Sequence, residues 1–205
     1  MSSALRWVIT CPLHIEKLLD QELRSLGYKD MKPSAGKISL EAPLEAGFHI
    51  CLWSRLANRV LLQLGEWDGK DGDSIYQNAR EFPWHDHLQP NQTFAISFHG
   101  TNLHIRHPHY GSQRLKDALV DHFRDSTGIR PNVDSKNPDV SFWAHMEADQ
   151  LKLSLDFSGV SLHQRGYRQQ QGSTSLKENL AAALLWQCGW PTKAQNGAAL
   201  LDPMC

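Results

Sequence analysis

Several features that would announce a common protein class are missing from this sequence. No window approaches the roughly 18 consecutive apolar residues that a membrane-spanning helix needs, so no membrane association is expected. The opening stretch, MSSALRWVITCPLH, lacks the charged, apolar and small-residue regions of a secretory signal, which predicts a cytoplasmic protein. Cysteine is sparse: the four stand at 11, 51, 188 and 205, with neither zinc-knuckle nor CxxC spacing, and are expected to be free and mostly buried thiols. The eleven histidines cluster in part, as His104, His107 and His109 and as His85 and His87. They lack a set of four ligands at fixed spacing, so no metal is expected. Charge of one sign is absent overall. A formal net charge of −1 argues against a chain that coats nucleic acid indiscriminately, but permits a local basic face. Acid is wholly missing from residues 157–177, FSGVSLHQRGYRQQQGSTSLK, which carry Arg165, Arg168 and Lys177.

With 205 residues, 40% of them hydrophobic, there is room for one large or two small globular domains. The periodicity predicts an α+β chain. Residues 1–67 read as strand, helix, strand, strand, helix, strand. Ile15, Leu18, Leu19, Glu22 and Leu26 recur at helical spacing, and Gly27 follows as a C-cap. That βαββαβ order is the ferredoxin-like plan, compatible with many functions; a monomer is expected. Residues 68–157 form a second α+β unit after the turn-rich DGKDGD. It has a helix over SIYQNAREF, a strand over QTFAISFHG, an amphipathic helix over 111–128 and two strands around Glu147–Gln150. A connector spans 158–173. From 174 to 205 the pattern gives one helix, with Ser175 and Glu178 in capping-box spacing, and one apolar strand, AALLD. One helix and one strand cannot close a core. A strand delivering Asp202 into Pro203 is also a common lead-in to a ligand-binding loop.

Six blocks in register carry a resemblance: TCPLHIEKLLDQELRSLG, GTN at 100–102, YGSQRLKDALVDHF, RPNVDSKNPDV, LSLDFSGVSLHQRGYR and LKENLAAALL. In this order they resemble the N-terminal part of bacterial 23S ribosomal RNA guanine-N2 methyltransferases. The resemblance implies a ferredoxin-like domain, an α/β THUMP RNA-binding domain, and the first helix and strand of a Rossmann-like methyltransferase domain. It implies that the parent uses S-adenosyl-L-methionine. The partner would be 23S rRNA or a large-subunit assembly intermediate. The family's glycine loop, which follows LLDPMC, and its downstream target-binding motif lie outside this sequence. No catalytic residue and no bound cofactor are therefore expected in this chain. A THUMP module of a tRNA-methylating or tRNA-thiolating enzyme, and a stand-alone RNA-binding adaptor, are the alternatives.

Within that frame Arg165, Tyr167 and Arg168 are candidate RNA contacts, since arginine offers a planar fork to phosphate and tyrosine a face to a base. The same segment could equally be a hinge whose arginines pair within the protein. Arg106, Arg114 and Lys116 are candidates for a phosphate patch near the start of the amphipathic helix. Residues 101–136 hold six Lys/Arg against four Asp, 6 − 4 = +2, and a solvated helix face explains that balance as well. Thr174, Leu176, Asp202 and Pro203 are implied cofactor neighbours in an incomplete pocket, although the local physics at 174–179 supports only a capped helix. Trp7, Trp53, Trp67 and Trp143 are expected in the core, and Trp84, in FPWHDHL, on a loop open to RNA.

Overall fold

A computed structural model describes residues 4–166 and 175–202. The chain divides into two compact units, Met1–Val60 with Val160–Cys205, and Leu61–Gly159.

In the first unit β1 (Leu5–Thr10), α1 (Glu16–Ser25), β2 (Lys32–Ser34), β3 (Lys37–Ala42) and α2 (Glu45–Trp53) follow in order, and β4 (Arg59–Asp68) begins at its boundary. This is the expected βαββαβ succession. β3 pairs antiparallel with both β1 and β2, setting Trp7 opposite Leu40 and Ile9 opposite Ile38. All four of those side chains are buried while their strand neighbours are more open, the period-two alternation of a one-sided sheet. α1 buries Leu19 and Leu23. It ends at Gly27, whose φ of +96° lets the Tyr28 N–H turn back to the Leu23 carbonyl while its own N–H reaches Arg24. In α2, Gly47 lies against the Trp7 ring so closely that a Cβ would fall 2.1 Å from it. Trp7 itself donates from the indole nitrogen to the Ala42 carbonyl at 3.2 Å.

α5 (Glu178–Gln187) and α6 (Trp190–Gln195) complete the first unit. The predicted capping box does not form. α5 starts at Glu178 with Lys177 as N-cap and no side-chain cap hydrogen bond, so Glu178 sits in the first turn and not three residues inside it. A second helix that the pattern did not give, α6, follows, with Pro191 in its first turn. The strand expected at 198–202 is also not present: these residues are exposed and without regular structure. A strand is stabilised by its neighbours in a sheet, and none of the described residues pairs with this run.

In the second unit β4 leads to α3 (Gly72–Glu81), β5 (Thr93–His99), α4 (Pro108–Thr127), β6 (Asn132–Val133), β7 (Val140–Glu147) and β8 (Gln150–Asp156). The strand order is β4-β8-β7-β5-β6. β7 and β8 form an antiparallel hairpin, and β8 pairs antiparallel with β4. β5 runs parallel to β7 and β6, which requires the long α4 crossover. The core is Ile75 and Ala79 from α3, Leu115, Leu119 and Phe123 from α4, and Phe94, Phe98, Phe142 and Leu153 from the sheet.

Several tryptophan expectations are corrected here: Trp67 and Trp143 are only half-buried. Trp84 is fully buried, donates to the Ala79 carbonyl at 2.6 Å and packs edge-on against Phe142, so it is a core residue and not an RNA contact. Trp53 is 54% exposed. The expectation of buried thiols also fails in part: Cys11 is buried, but Cys51 is half-buried and Cys188 exposed.

Candidate nucleic-acid interface

The loop between β5 and α4 is held by several specific contacts. Gly100 starts it at φ +85°, and a Cβ there would meet the Met146 carbonyl oxygen at 2.3 Å. Only glycine satisfies both conditions. Asn102 then ties three loops together. Its Nδ2 donates to the carbonyls of Gly69 (3.2 Å) and Lys70 (3.0 Å) and to the Asp149 carboxylate (3.1 Å). Its Oδ1 accepts from the backbone N–H groups of His104 (3.0 Å) and Ile105 (2.7 Å). Ile105 is fully buried and pins the loop to the core, which leaves Leu103, His104, Arg106 and His107 exposed. His107 is the N-cap of α4 and makes no side-chain cap bond. The loop and the first turn of α4 thus present one arginine and three imidazoles (His104, His107 and His109) around the positive end of a twenty-residue helix.

Acids stand nearby. Asp71 caps α3, and the Ser74 N–H it accepts holds its carboxyl below the ordinary carboxylate range, with the Ser74 hydroxyl and the charge of His104 contributing less. Arg114 is turned toward this same corner. It donates to the Gly72 carbonyl (3.0 Å) and the Asp73 carboxylate (2.9 Å), and its guanidinium lies 4.8 Å from the Tyr76 ring centre. Lys116 pairs with Asp117 at 2.9 Å. Arg106, Arg114 and Lys116 therefore belong to one unit, but Arg114 and Lys116 are half-buried and paired while Arg106 is exposed.

Arg165 lies in the first unit. Its guanidinium donates to the carbonyls of Cys51 (2.7 Å) and Ser54, closing the C-terminal end of α2, while its backbone N–H donates to Glu178 at 3.2 Å. Tyr167, Arg168, Thr174 and Pro203 lie outside the described residues. Leu176 is 46% exposed and Asp202 is exposed. Asp202 ends the irregular, exposed run 198–202.

The turn that receives Arg165 is built by a buried carboxylate that the sequence reading passed over. Glu22, 2% exposed on α1, accepts from the Ser54 hydroxyl (2.6 Å) and from the N–H groups of Arg55 (2.8 Å) and Leu56 (3.3 Å). The signal was present as an acid at a helical position otherwise held by apolar residues. Two residues on, Asn58 accepts from Asn179 of α5 at 2.6 Å, and its carbonyl accepts the Leu162 N–H at 2.8 Å. Glu22, Ser54 and Arg165 thus tie α1, the end of α2 and residue 165 together, and the Asn58–Asn179 pair fastens α5 separately. Among the described residues, no three His, Cys, Asp or Glu side chains converge as metal ligands, and no helix is long and apolar enough to cross a membrane.

This arrangement matches known families along nearly the whole chain. Residues 6–61 match the RlmL ferredoxin-like domain, 69–156 the THUMP domain, and 165–205 the RMKL-like methyltransferase domain. The chain therefore resembles RlmL-type proteins in its ferredoxin-like domain and carries a THUMP domain match. Among its relatives, the Ribosomal RNA large subunit methyltransferase K/L of Pseudomonas syringae pv. tomato is 46% identical over 205 residues, and that of Pseudomonas aeruginosa is 45% identical over the same span. Both alignments cover 100% of this chain but only 27% and 28% of those proteins. The chain thus spans about a quarter of the length of the relatives it matches. Its fold is shared with a possible methylase from Clostridium difficile 630, at a TM-score of 0.77 and 24% identity over 89% of this chain and 48% of that one.

Proposed function

We propose that this chain is the RNA-recognition portion of an S-adenosylmethionine-dependent 23S rRNA guanine-N2 methyltransferase. In this reading residues 1–67, 68–157, 158–173 and 174–205 are the ferredoxin-like domain, the THUMP domain, a connector and the start of the catalytic domain. The chain binds and orients rRNA, and the methyl donor and the transfer step belong to the domain that follows. The observation that carries the reading is the Asn102-stapled loop of the THUMP-matched unit, which fixes exposed Arg106 beside the uncapped start of α4. A preformed cationic loop contacts phosphate without paying to be ordered first. Arg106 makes the direct contact, and Arg114 and Lys116 add positive potential from their paired positions. Tyr167 and Arg168 are proposed as contacts on the connector, while Arg165 serves mainly to hold that connector on α2.

The test is binding of this chain to transcribed fragments of 23S rRNA across a salt series. Affinity should fall steeply as salt rises, and Arg106→Ala should weaken it at low salt. Salt-independent binding, or none to any 23S fragment, would overturn the reading. Preference for tRNA over every 23S fragment would favour the tRNA-modifying alternative.

A further inference from the structure

The outer face of α2 is unusually apolar for a helix end. Leu44, Phe48 and Leu52 stand four residues apart and so follow one stripe. They are 41%, 61% and 69% exposed, and Trp53 beside them is 54% exposed. The opposite side of the same helix buries Ala46, Gly47 and Ile50. Residues 43–54 contain no lysine or arginine and a single acid, Glu45, so the stripe offers nothing to a phosphate backbone. Its C-terminal end opens into a groove of about 400 Å³ whose lining includes apolar Leu52, Trp53 and Leu162 beside Arg55, Arg165 and Glu178.

The far wall of that groove belongs to the segment that matches the methyltransferase domain. That segment is already fastened to the near wall, by Arg165 on Cys51 and Ser54 and by Asn179 on Asn58. It also carries exposed apolar side chains of its own, Leu184 at 54% and Leu201 at 84%. The matched relatives are more than three times as long as this chain.

We propose that the Leu44–Phe48–Leu52–Trp53 stripe is the docking surface for the remainder of the methyltransferase domain, an apolar protein surface continuous with the α5 contact. The inference rests on the reading above that such a domain follows. Docking there extends an interface whose first part is in place, and it holds the catalytic domain on the ferredoxin-like unit through apolar contact, which leaves the basic loop of the THUMP unit to RNA.

Cys51 lies on α2 beside Leu52 and is half-buried, which makes its alkylation a reporter. Peptide-resolved alkylation is compared between this 205-residue chain and the full-length gene product, each with and without Leu52→Glu plus Trp53→Glu. Cys51 should react roughly tenfold more slowly in the full-length product, because modification then waits on local undocking. The double variant should erase that difference while leaving the urea midpoint of the short chain unchanged. Equal Cys51 rates in the two wild-type lengths would overturn the proposal. So would a dimer of the short chain that the double variant dissolves, which makes a second copy the occupant. Loss of RNA binding by the short double variant would reassign the stripe to nucleic acid. Failure of the RNA reading is seen separately, as absent RNA binding by the wild-type short chain, and leaves the alkylation result standing.

Discussion

Glu22 carries three hydrogen bonds in a place where water does not reach. Replacing it with alanine strands the Ser54 hydroxyl and the N–H groups of Arg55 and Leu56. Each buried donor left unpaired costs about 1–3 kcal/mol, and partial rearrangement offsets some of the sum. Glu22→Ala is expected to lower unfolding free energy by about 3 kcal/mol, read from a urea midpoint; a change within error would mean the turn is held by something else. Asn102 invites the same treatment in the other unit. Asn102→Ala frees three acceptors and two donors at once, and should speed hydrogen exchange at His104 and Ile105 before it unfolds the domain. Cys11 gives a pH prediction. Burial, with the Glu16 charge adding to it, raises its thiol from 9.0 to about 12. A folded-state value above the unfolded one means the neutral thiol favours the fold. That contribution is complete below about pH 9 and fades as pH climbs toward 12. At pH 8–9 Cys188 should therefore alkylate in the native protein while Cys11 stays unreacted until denaturant is added. Early labelling of Cys11 would contradict its placement.

At the scale of elements, α2 and α5 depend on a residue more than a hundred positions from one and thirteen from the other. Arg165→Ala removes the donors from two carbonyls at the end of α2. Hydrogen exchange should quicken across 161–166 and the first turn of α5, while the β7–β8 hairpin keeps its protection. Lysine at this position should rescue only partly, because a single ammonium lacks the planar fork that reaches both carbonyls. Uniform exchange in Arg165→Ala would mean that Arg165 does not hold α5. The sequence was legible where periodicity reflects burial: Trp7 and Ile9 alternate on β1, and Leu115, Leu119 and Phe123 repeat on α4, because a single face meets the core. It was opaque where polar neighbours disguise packing. FPWHDHL reads as a loop, yet its tryptophan fills the centre of the second core, since a short 3-10 turn over Trp84–Asp86 folds the ring inward. Long-range polar contacts were hidden for another reason. Nothing in the spacing foretells that Glu22 meets Ser54 or that Asn58 meets Asn179. GTN at 100–102 was visible as a block, but its role appears only once Gly69, Lys70 and Asp149 are brought beside Asn102.

At the scale of the whole molecule the charge distribution decides which surface can work on RNA. The chain is nearly neutral, so affinity must come from a local surface. Arg114 and Lys116 already satisfy Asp73 and Asp117, while Arg106 stands open on a fixed loop, and the apolar α2 stripe offers no charge. The Arg106 loop of the THUMP unit is therefore the proposed phosphate contact. The measurement that tests it most directly is the salt dependence of binding to a structured 23S rRNA fragment, for the wild-type chain and for Arg106→Ala. Each phosphate contact adds about 0.7–0.9 to the magnitude of the slope of log K against log salt, so the variant should bind more weakly at low salt with a slope shallower by about that amount. An unchanged slope and affinity in Arg106→Ala, with the wild type still binding RNA, would contradict it.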